Sequence, residues 1–290
     1  MDKVEIGFIG LGLMGKPMAL NLHRFGGSLV IHNRSQEVVR ELADLGMTPA
    51  ASPREVAQQT EVVVLMLSDT PAVERVLLGE KGVLEGLRAK SLVIDMGTTA
   101  VMRTREFARA VEEAGSDYID APVSGGQIGA IEAGLTIMAG GRTDAFERAK
   151  PVLSVLGGNV THVGGAGAGQ VAKAANQIIV GLTIGAVAEA ITLTQACGVD
   201  AKNVREALKG GFAWSRIMEL HGQRMIDGDF EPGGRSETQR KDLQQALDLA
   251  EAVGVELPAT RLCRGLYDEL IEQGGGNLDH SALFNVIRRR

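Results

Sequence analysis

The sequence has few cysteines and no excess of basic residues. It holds two Cys in 290 residues, and Cys197 and Cys263 lie far apart and outside any CxxC pattern. Neither a disulfide framework nor a thiolate zinc site is suggested, and a reducing, cytoplasmic setting fits this cysteine usage. Thirty Lys and Arg against 36 Asp and Glu leave a net charge of −6, so no general basic field attracts a phosphate backbone. Nucleic-acid binding is therefore disfavoured.

The chain also lacks the segments that direct a protein to or through a membrane. Residues 1–5 carry two acids before the first apolar run, whereas a secretory signal needs a basic start and a longer apolar stretch. The most apolar long segment, 177–188, has 12 residues, against the roughly 20 that a membrane span needs. We expect a cytoplasmic protein with no membrane partner. The composition, 44% hydrophobic and 23% charged, is typical of soluble globular proteins.

The first half of the chain alternates short β-branched runs with helix-compatible segments. Ser52-Pro53-Arg54-Glu55, for example, has a capping serine, a proline at the first helical position and a glutamate at the third. Such alternation predicts an α/β domain with a parallel sheet covered on both faces. The predicted strands are 5–10, 28–32, 61–67, 91–95, 117–119, 135–139 and 160–163.

The character of the sequence changes after Val163, where glycine-rich residues 164–169 are followed by helical lengths. We therefore predict two domains, 1–163 and 164–290, the second all-α and joined to the first by a long helix over 170–197. Gly181 and Gly185 share a face of that helix, which favours ordinary core packing but also suits helix packing between subunits. Further helices are predicted over 201–209, with Asp200 as N-cap, over 237–253 and over 259–272.

A GxGxxG pattern follows the first predicted strand and precedes a helix. In Gly10-Leu11-Gly12-Leu13-Met14-Gly15, the first two glycines allow a tight turn and let main-chain N–H groups approach a pyrophosphate. Gly15 permits close packing of helix on strand. The alternative is a glycine turn without a ligand, but the position at the start of a βαβ-like region favours dinucleotide binding, with Gly10, Gly12, Leu13 and Met14 at the cofactor.

The end of the second predicted strand bears on the choice between NADP and NAD. Asn33 stands where an acidic residue commonly holds the ribose hydroxyls of NAD, and its neutral side chain does not repel a 2′-phosphate. Arg34 supplies donors for that phosphate, and Ser35 follows. The pattern favours NADP, with NAD still possible. Alternatively, Arg34 is a solvated surface charge.

Two further segments carry candidate chemistry. The turn Ser124-Gly125-Gly126 ends another strand, and its hydroxyl and N–H groups suit a small carboxylate, although serine and glycine are also ordinary turn residues. Lys173 lies near the start of the long helix, where its ammonium form is disfavoured, as suits a proton donor. Asn176 and Gln177 share its face. From the residues alone, a solvated lysine is equally compatible. The five His show no HxxxH or HxH spacing, so no metal site is predicted and His280 is assigned a structural role.

Taken together, these motifs resemble the β-hydroxyacid dehydrogenase family nearly from end to end. The matching segments, in the family's order, are GFIGLGLMGKPMALNL, DAPVSGG, GAGQVAKAANQ, KDLQQAL and DHSAL. The resemblance implies a Rossmann domain followed by an all-helical domain, with the active site in the cleft between them. It also implies dimers or tetramers. The members most similar to this chain reduce tartronate semialdehyde, and those that oxidise 3-hydroxyisobutyrate come next.

The resemblance also implies roles for individual residues. Lys173 would be the catalytic lysine, and Ser124, Gly125 and Gly126 would bind the substrate carboxylate. Thr98 and Lys241 would lie near the cofactor, together with Leu67 and Ser68, which stand where the family usually has a Leu-Pro pair. The family often has Asn where this chain has Gln177, so either Asn176, as a catalytic amide, or Gln177 contacts substrate. Gly97 replaces a common serine, and residues 234–239 are more polar than in many members.

The expected activity is reduction of a small semialdehyde acid by NADPH, or the reverse oxidation of the hydroxy acid. A 3-hydroxyisobutyrate dehydrogenase is the alternative within the same chemistry. Imine reductases share the architecture but generally lack the lysine seen here as Lys173, and 6-phosphogluconate dehydrogenases have a much larger helical domain. A non-catalytic NADP-sensing protein is a further alternative. Retention of Lys173, Ser124 and Lys241 together argues against it.

Overall fold

The computed structural model describes residues 5–289, so the start Met1–Val4, on which the expectation of no export rests, lies outside it. The seven predicted strands all form, with two short ones in addition. The strands are β1 (Glu5–Ile9), β2 (Ser28–His32), β3 (Thr48–Pro49), β4 (Val62–Leu65), β5 (Leu92–Asp95), β6 (Asp117–Asp120), β7 (Val123–Ser124), β8 (Thr136–Gly140) and β9 (Asn159–Gly164).

Helices separate most of these strands and make up the second half. They are α1 (Gly15–Arg24), α2 (Gln36–Asp44), α3 (Pro53–Gln59), α4 (Thr70–Leu78), α5 (Val83–Gly86), α6 (Val101–Glu113), α7 (Gly126–Ile131), α8 (Thr143–Leu156), α9 (Ala168–Ala196), α10 (Ala201–Leu208), α11 (Arg216–Asp227), α12 (Ser236–Ala252), α13 (Pro258–Glu272) and α14 (Phe284–Ile287), with a 3₁₀ turn at His280–Leu283.

The strands form one sheet of order β3-β2-β1-β4-β5-β6-β8-β7, and β9 pairs with β8. Strands β1 to β6 are parallel, as predicted, but β8 runs antiparallel to both β6 and β7. The sheet is thus mostly parallel, as the sequence predicts, and the antiparallel pairs among the described strands are those of β8 with β6 and β7. Chain order reverses between β1 and β4, and ligands of such sheets bind at the carboxyl ends of the strands beside that point.

Helices pack on both faces of the sheet because the buried strands alternate their side chains. In β4, Val62 and Val64 face the cluster formed with α1, α2 and α8, whereas Val63 and Leu65 face α3, α4 and α6. The predicted cap of α3 is confirmed, since the Ser52 side chain accepts a hydrogen bond from the N–H of Glu55.

The second half is helical, and its core gathers residues of α9, α11, α12, α13 and the chain's last turns around Tyr267 and Leu283. The predicted helices form with ends shifted by a residue or two, and the Asp200 side chain caps α10. Helix α11 was not expected. Its signals were nevertheless present, since the Ser215 side chain accepts from the N–H of Met218 and Gly228 adopts the left-handed conformation that ends the helix.

The two compact units of the chain divide between Lys173 and Ala174, inside α9. The domain boundary predicted after Val163 stays a prediction, because α9 begins in the first unit. By length and composition α9 is the single described helix that is apolar enough to cross a membrane, a test that core helices of soluble proteins also pass. Gln170, Lys173 and Gln177 are nevertheless buried along it. In the second unit, a Cβ at Gly181 would contact Gln239 and Leu243, in line with the packing interpretation.

Candidate active site

The glycine turn between β1 and α1 has the geometry that each of its glycines predicts. Gly10 has φ +100°, and a Cβ there would stand 2.2 Å from the carbonyl oxygen of Met66. A Cβ at Gly15 would lie 1.8 Å from the carbonyl oxygen of Gly10, so α1 packs directly on the turn. Gly12 has open space where its side chain would be. The turn therefore leaves room for a ligand to approach its backbone.

The end of β2 is tied to this turn through Asn33. Its side-chain oxygen accepts from the N–H of Leu11 at 3.0 Å, and its Nδ2 donates to the carbonyl oxygen of Ser35 at 3.1 Å. Arg34 is exposed beside it. An open cavity of about 350 Å³ borders this region and is lined by Leu11, Gly12, Leu13, Lys16, Pro17, Ser35, Glu37, Val38, Glu41 and Gln127. The open glycine turn and the adjacent cavity fit a dinucleotide.

A larger cavity of about 810 Å³ lies at the opposite, amino end of the strands and contains none of the predicted site residues. Its charged lining mixes acids and bases, among them Glu61, Asp117, Arg142 and Arg148. Because two of the guanidinium groups are already paired with Asp117 and Asp144, this cavity offers no uniform field for a charged ligand.

The other predicted cofactor residues follow β4 and β5. Leu67 and Ser68 lie in the loop after β4, and the Ser68 hydroxyl donates to Asp69. Thr98 is half-buried in the loop after β5. Gly97 precedes it, and a Cβ there would stand 2.7 Å from the carbonyl oxygen of Leu67. That close approach gives a physical reason for glycine where the family commonly has serine.

The turn after β7 and the lysine of α9 come together. Gly125 and Gly126 have φ +137° and +60°, values that favour glycine, and Ser124 is half-buried. Lys173 is 7% exposed in the second turn of α9, and its Nζ donates to the carbonyl oxygen of Val123 at 2.7 Å. The interpretation of Lys173 as a solvated surface lysine is therefore wrong. Its ammonium group sits next to the proposed carboxylate turn.

The two amides after Lys173 belong to a separate network in the second unit. Asn176 donates to the side-chain oxygen of Gln177 at 2.8 Å. Gln177 in turn donates to Asp242 at 2.7 Å and to Gln239 at 3.0 Å. Lys241 lies 2.9 Å from the other oxygen of Asp242. Both donors of Gln177 thus contact buried partners, whereas Asn176 is half-buried.

Three buried polar residues near Lys173 were not identified from the sequence. Asp120 accepts from the N–H groups of Gly167 and Gln170, Gln170 reaches the loop after β5, and Asp95 lies beneath that loop. Burial raises the pKa of Asp120 to about 6, with Asp95 adding to the shift and the two N–H groups opposing it. The available signal was an aspartate at the carboxyl end of two adjacent strands, β5 and β6.

A second cluster, formed by His221, Asp279 and His280 in the second unit, was also not predicted from the spacing of the His residues. The Nε2 atoms of His221 and His280 lie 3.2 Å apart, and His221 Nδ1 is 3.4 Å from Asp279. The three ligand atoms lie close enough together to meet at one ion. The Asp279 carboxylate, however, is occupied by backbone N–H groups of Gly233 and Gly234, by Ser281 and by Arg224. This surrounding favours the predicted structural role of His280.

Two family models of NAD-binding proteins match this chain in succession. The family model for the NAD binding domain of 6-phosphogluconate dehydrogenase matches residues 5–164. The model described as NAD-binding of NADP-dependent 3-hydroxyisobutyrate dehydrogenase matches residues 167–287. The chain belongs to the β-hydroxyacid dehydrogenase family, and it is an NAD(P)-dependent oxidoreductase.

Individual relatives match over nearly the whole chain. The 2-hydroxy-3-oxopropionate reductase of Escherichia coli K12 is 46% identical over 98% of this chain and 97% of its own length. The structure of Mycobacterium tuberculosis 3-hydroxyisobutyrate dehydrogenase with L-serine superimposes with a TM-score of 0.91 at 31% identity, covering 99% of each chain. A structure of Psf3 in complex with NADP+ and 2-OPP matches with a TM-score of 0.89 at 25% identity, covering 97% of this chain and 99% of that one.

Proposed function

We propose that this chain reduces tartronate semialdehyde, or a closely similar small semialdehyde acid, to the hydroxy acid with NADPH. One observation carries the proposal: the Lys173 ammonium lies 2.7 Å from the carbonyl oxygen of Val123, immediately before the Ser124-Gly125-Gly126 turn. A proton donor and a turn suited to a carboxylate thus stand side by side. The 46% identity to the E. coli reductase supports the choice of substrate.

The proposed binding of NADP rests on the end of β2. Asn33 is neutral and already holds the glycine turn through Leu11, so the group beside the cofactor ribose carries no negative charge. Arg34 is exposed at the same place and has five donors for a 2′-phosphate. The glycine turn Gly10 to Met14 would hold the pyrophosphate, and Leu67, Ser68, Thr98 and Lys241 would contact the cofactor.

The proposed mechanism divides binding from protonation. When bound, NADPH supplies the hydride that reduces the carbonyl carbon. Ser124, Gly125 and Gly126 hold the substrate carboxylate and so fix the orientation of the aldehyde. Lys173 gives its proton to the developing alkoxide oxygen, and Asn176 donates a hydrogen bond to substrate. The buried position of Lys173 limits competition from water.

The chain is proposed to act as a cytoplasmic homodimer or homotetramer. Helix α9 carries large apolar side chains on its surface: Ile179 and Leu193 are both 66% exposed, and Leu262 of α13 is 69% exposed. Contact with a second copy of the chain would remove these apolar side chains from water. The free thiols of Cys197 and Cys263 suit a reducing compartment.

The experiment is a panel of small semialdehyde acids and 3-hydroxy acids, each assayed with both cofactors by the absorbance of the reduced nicotinamide. The proposal predicts the highest kcat/KM for tartronate semialdehyde with NADPH. A higher kcat/KM for 3-hydroxyisobutyrate would instead assign the alternative dehydrogenase activity. No turnover of any substrate, with NADPH still bound, would support the non-catalytic alternative.

A further inference from the structure

The first turn of α9 is held by a carboxylate from the sheet. Asp120, at the carboxyl end of β6, is fully buried. Its Oδ1 accepts from the N–H of Gly167 at 2.8 Å, and its Oδ2 accepts from the N–H of Gln170 at 2.9 Å. N–H groups at a helix start have no partner within the helix, so one side chain satisfies two of them. Its negative charge also suits the positive end of the helix dipole.

Gln170 connects the same turn to the loop after β5. It is 2% exposed, its Nε2 donates to the carbonyl oxygen of Gly97 at 2.9 Å, and its Oε1 accepts from the N–H of Thr99 at 3.1 Å. These two partners flank Thr98, which is proposed to contact the cofactor. The side-chain amide of Gln170 therefore joins α9 by two hydrogen bonds to the loop after β5, residues 96–100, which is called the cofactor loop below.

The cofactor loop is in turn fixed from below by Asp95. This buried carboxylate accepts from the N–H of Gly97, from the Thr99 hydroxyl at 2.7 Å and from the Tyr118 hydroxyl at 3.0 Å. Since Tyr118 and Asp120 both belong to β6, the loop after β5, the end of β6 and the start of α9 share one hydrogen-bonded network.

The backbone at the start of α9 also packs closely on the sheet. A Cβ at Gly169 would stand 2.3 Å from the carbonyl oxygen of Met138 and 2.7 Å from that of Asp120. A Cβ at Gly140 would stand 2.6 Å from the N–H nitrogen of Gly169. The helix backbone thus touches the sheet directly beneath the turn that Asp120 binds.

Lys173 follows Gln170 by less than one helical turn, so the position of its Nζ depends on where α9 begins. We propose that Asp120 and Gln170 are positioning residues that set the Lys173 ammonium against both the cofactor loop and the Ser124 turn. This inference rests on the proposed function of Lys173 as proton donor. Neither residue touches substrate; each acts through the backbone of α9.

The network should respond to pH. A protonated carboxyl group gains a donor and loses acceptor capacity, so protonated Asp120 cannot serve both N–H groups equally. Burial, reinforced by Asp95, raises the pKa of Asp120 to about 6. The other titratable or charged groups facing this region are Tyr118 of β6, Lys173 of α9 and Arg105 of α6, whose side chain lies against Gly167. The start of α9 is therefore expected to loosen as pH falls through about 6.

The test uses Asp120→Asn, which has the shape of the protonated residue at every pH, and Asp117→Asn as its matched control. Asp117 begins the same strand and pairs with Arg148 at the opposite end of the sheet. The full-length proteins are compared by the pH profile of kcat and by amide hydrogen exchange over residues 165–173. A displacement near 1 Å at a reacting group costs up to about 100-fold in rate, so we expect kcat at pH 8 to fall roughly 10- to 100-fold in Asp120→Asn.

In wild type, kcat should fall as pH drops through about 6, whereas Asp120→Asn should lack this acid limb and exchange faster over 165–173 at every pH. Asp117→Asn should retain kcat within about twofold and keep the limb. Unchanged exchange in Asp120→Asn, or a retained acid limb, overturns the inference. If wild type reduces no semialdehyde acid, the proposed function fails, and the exchange measurement alone then decides the role of Asp120.

Gln170→Met provides a second, independent variant, because methionine has similar length but makes neither amide hydrogen bond. We expect its kcat to fall and its KM for NADPH to rise together, since both α9 and the loop around Thr98 lose a partner. Asp120→Asn should change kcat far more than the KM for NADPH. An unchanged kcat in Gln170→Met would remove Gln170 from the positioning role.

Discussion

Buried polar groups surround α9 in both units of the chain, but they act differently. In the first unit, Asp95, Asp120 and Gln170 bind backbone groups of the loop after β5 and of the start of α9. In the second unit, Gln177 bonds with the side chains of Gln239 and Asp242, and its own carbonyl accepts from Gln239. The first arrangement sets the path of loops near the reacting groups, whereas the second ties one helix to another.

This difference predicts which property each kind of substitution will change. Side chains that hold loops near Lys173 are expected to change rates and cofactor affinity. Side chains that link helices of the second unit are expected to change the free energy of unfolding. The predictions below test that separation, beginning with the largest effect.

Lys173→Ala should lower kcat by roughly 10²- to 10⁴-fold, the scale for loss of one general acid, while the protein folds and binds NADPH. Lys173→Arg should restore little activity, because a guanidinium does not release its proton near neutrality. Steady-state kinetics and NADPH fluorescence titration provide the two measurements. An alanine variant with near-wild-type kcat would remove Lys173 from the chemistry.

Asp279→Asn should lower the free energy of unfolding by about 3 kcal/mol at neutral pH, because it removes a buried charge from its partners. Burial raises the pKa of Asp279, but hydrogen bonds from His221 and Ser281 and the charge of His280 lower it well below its usual range. Its contribution is therefore present above the unfolded pKa of about 3.9 and lost as pH falls below it. Urea unfolding at several pH values measures the difference in the free energy of unfolding between Asp279→Asn and wild type. This difference should become smaller at acid pH.

Arg34→Ala should weaken NADPH binding by about 10- to 150-fold and leave NADH nearly unchanged. A charge-assisted hydrogen bond to phosphate contributes roughly 1.5 to 3 kcal/mol, which corresponds to that range of affinity. Asn33→Asp should act in the opposite sense: its oxygen can still accept from Leu11 but adds repulsion against a 2′-phosphate. The dissociation constants of both variants for NADPH and NADH measure these changes in affinity. Equal or better kcat/KM with NADH in wild type would contradict the NADP assignment.

Gln239→Met should destabilise the protein by about 1 to 3 kcal/mol, since Gln177 loses partners in a buried site. Gln244→Met on the same helix is the matched control, because Gln244 bonds to exposed Asp248. We expect the control to stay within about 0.5 kcal/mol of wild type. Thermal and urea unfolding compare the two. Equal stability of both variants would mean that the second network does not hold α9 to α12.

Much of the fold could be predicted from local pattern. Strands such as β2 and β4 are short β-branched runs between turn signals. The spacing of the glycines from Gly10 to Gly15 predicts the tight turn between β1 and α1. The antiparallel direction of β8 could not be assigned from pattern alone, because the alternation of strands and helices does not show which strands β8 pairs with. Asp120 and Gln170 were missed for a similar reason: their partners lie about 50 and 70 positions away in sequence. The His221 and His280 pair is likewise created only by folding.

Recognition of a carboxylate next to Lys173 is the central claim, and it is tested by comparing tartronate semialdehyde with an uncharged aldehyde of the same length. Both are assayed with wild-type protein and NADPH. Since a charge-assisted hydrogen bond contributes roughly 1.5 to 3 kcal/mol, the account predicts a kcat/KM at least about tenfold higher for the acid. Equal kcat/KM for the two aldehydes would contradict the assignment of Ser124, Gly125 and Gly126 as the carboxylate site.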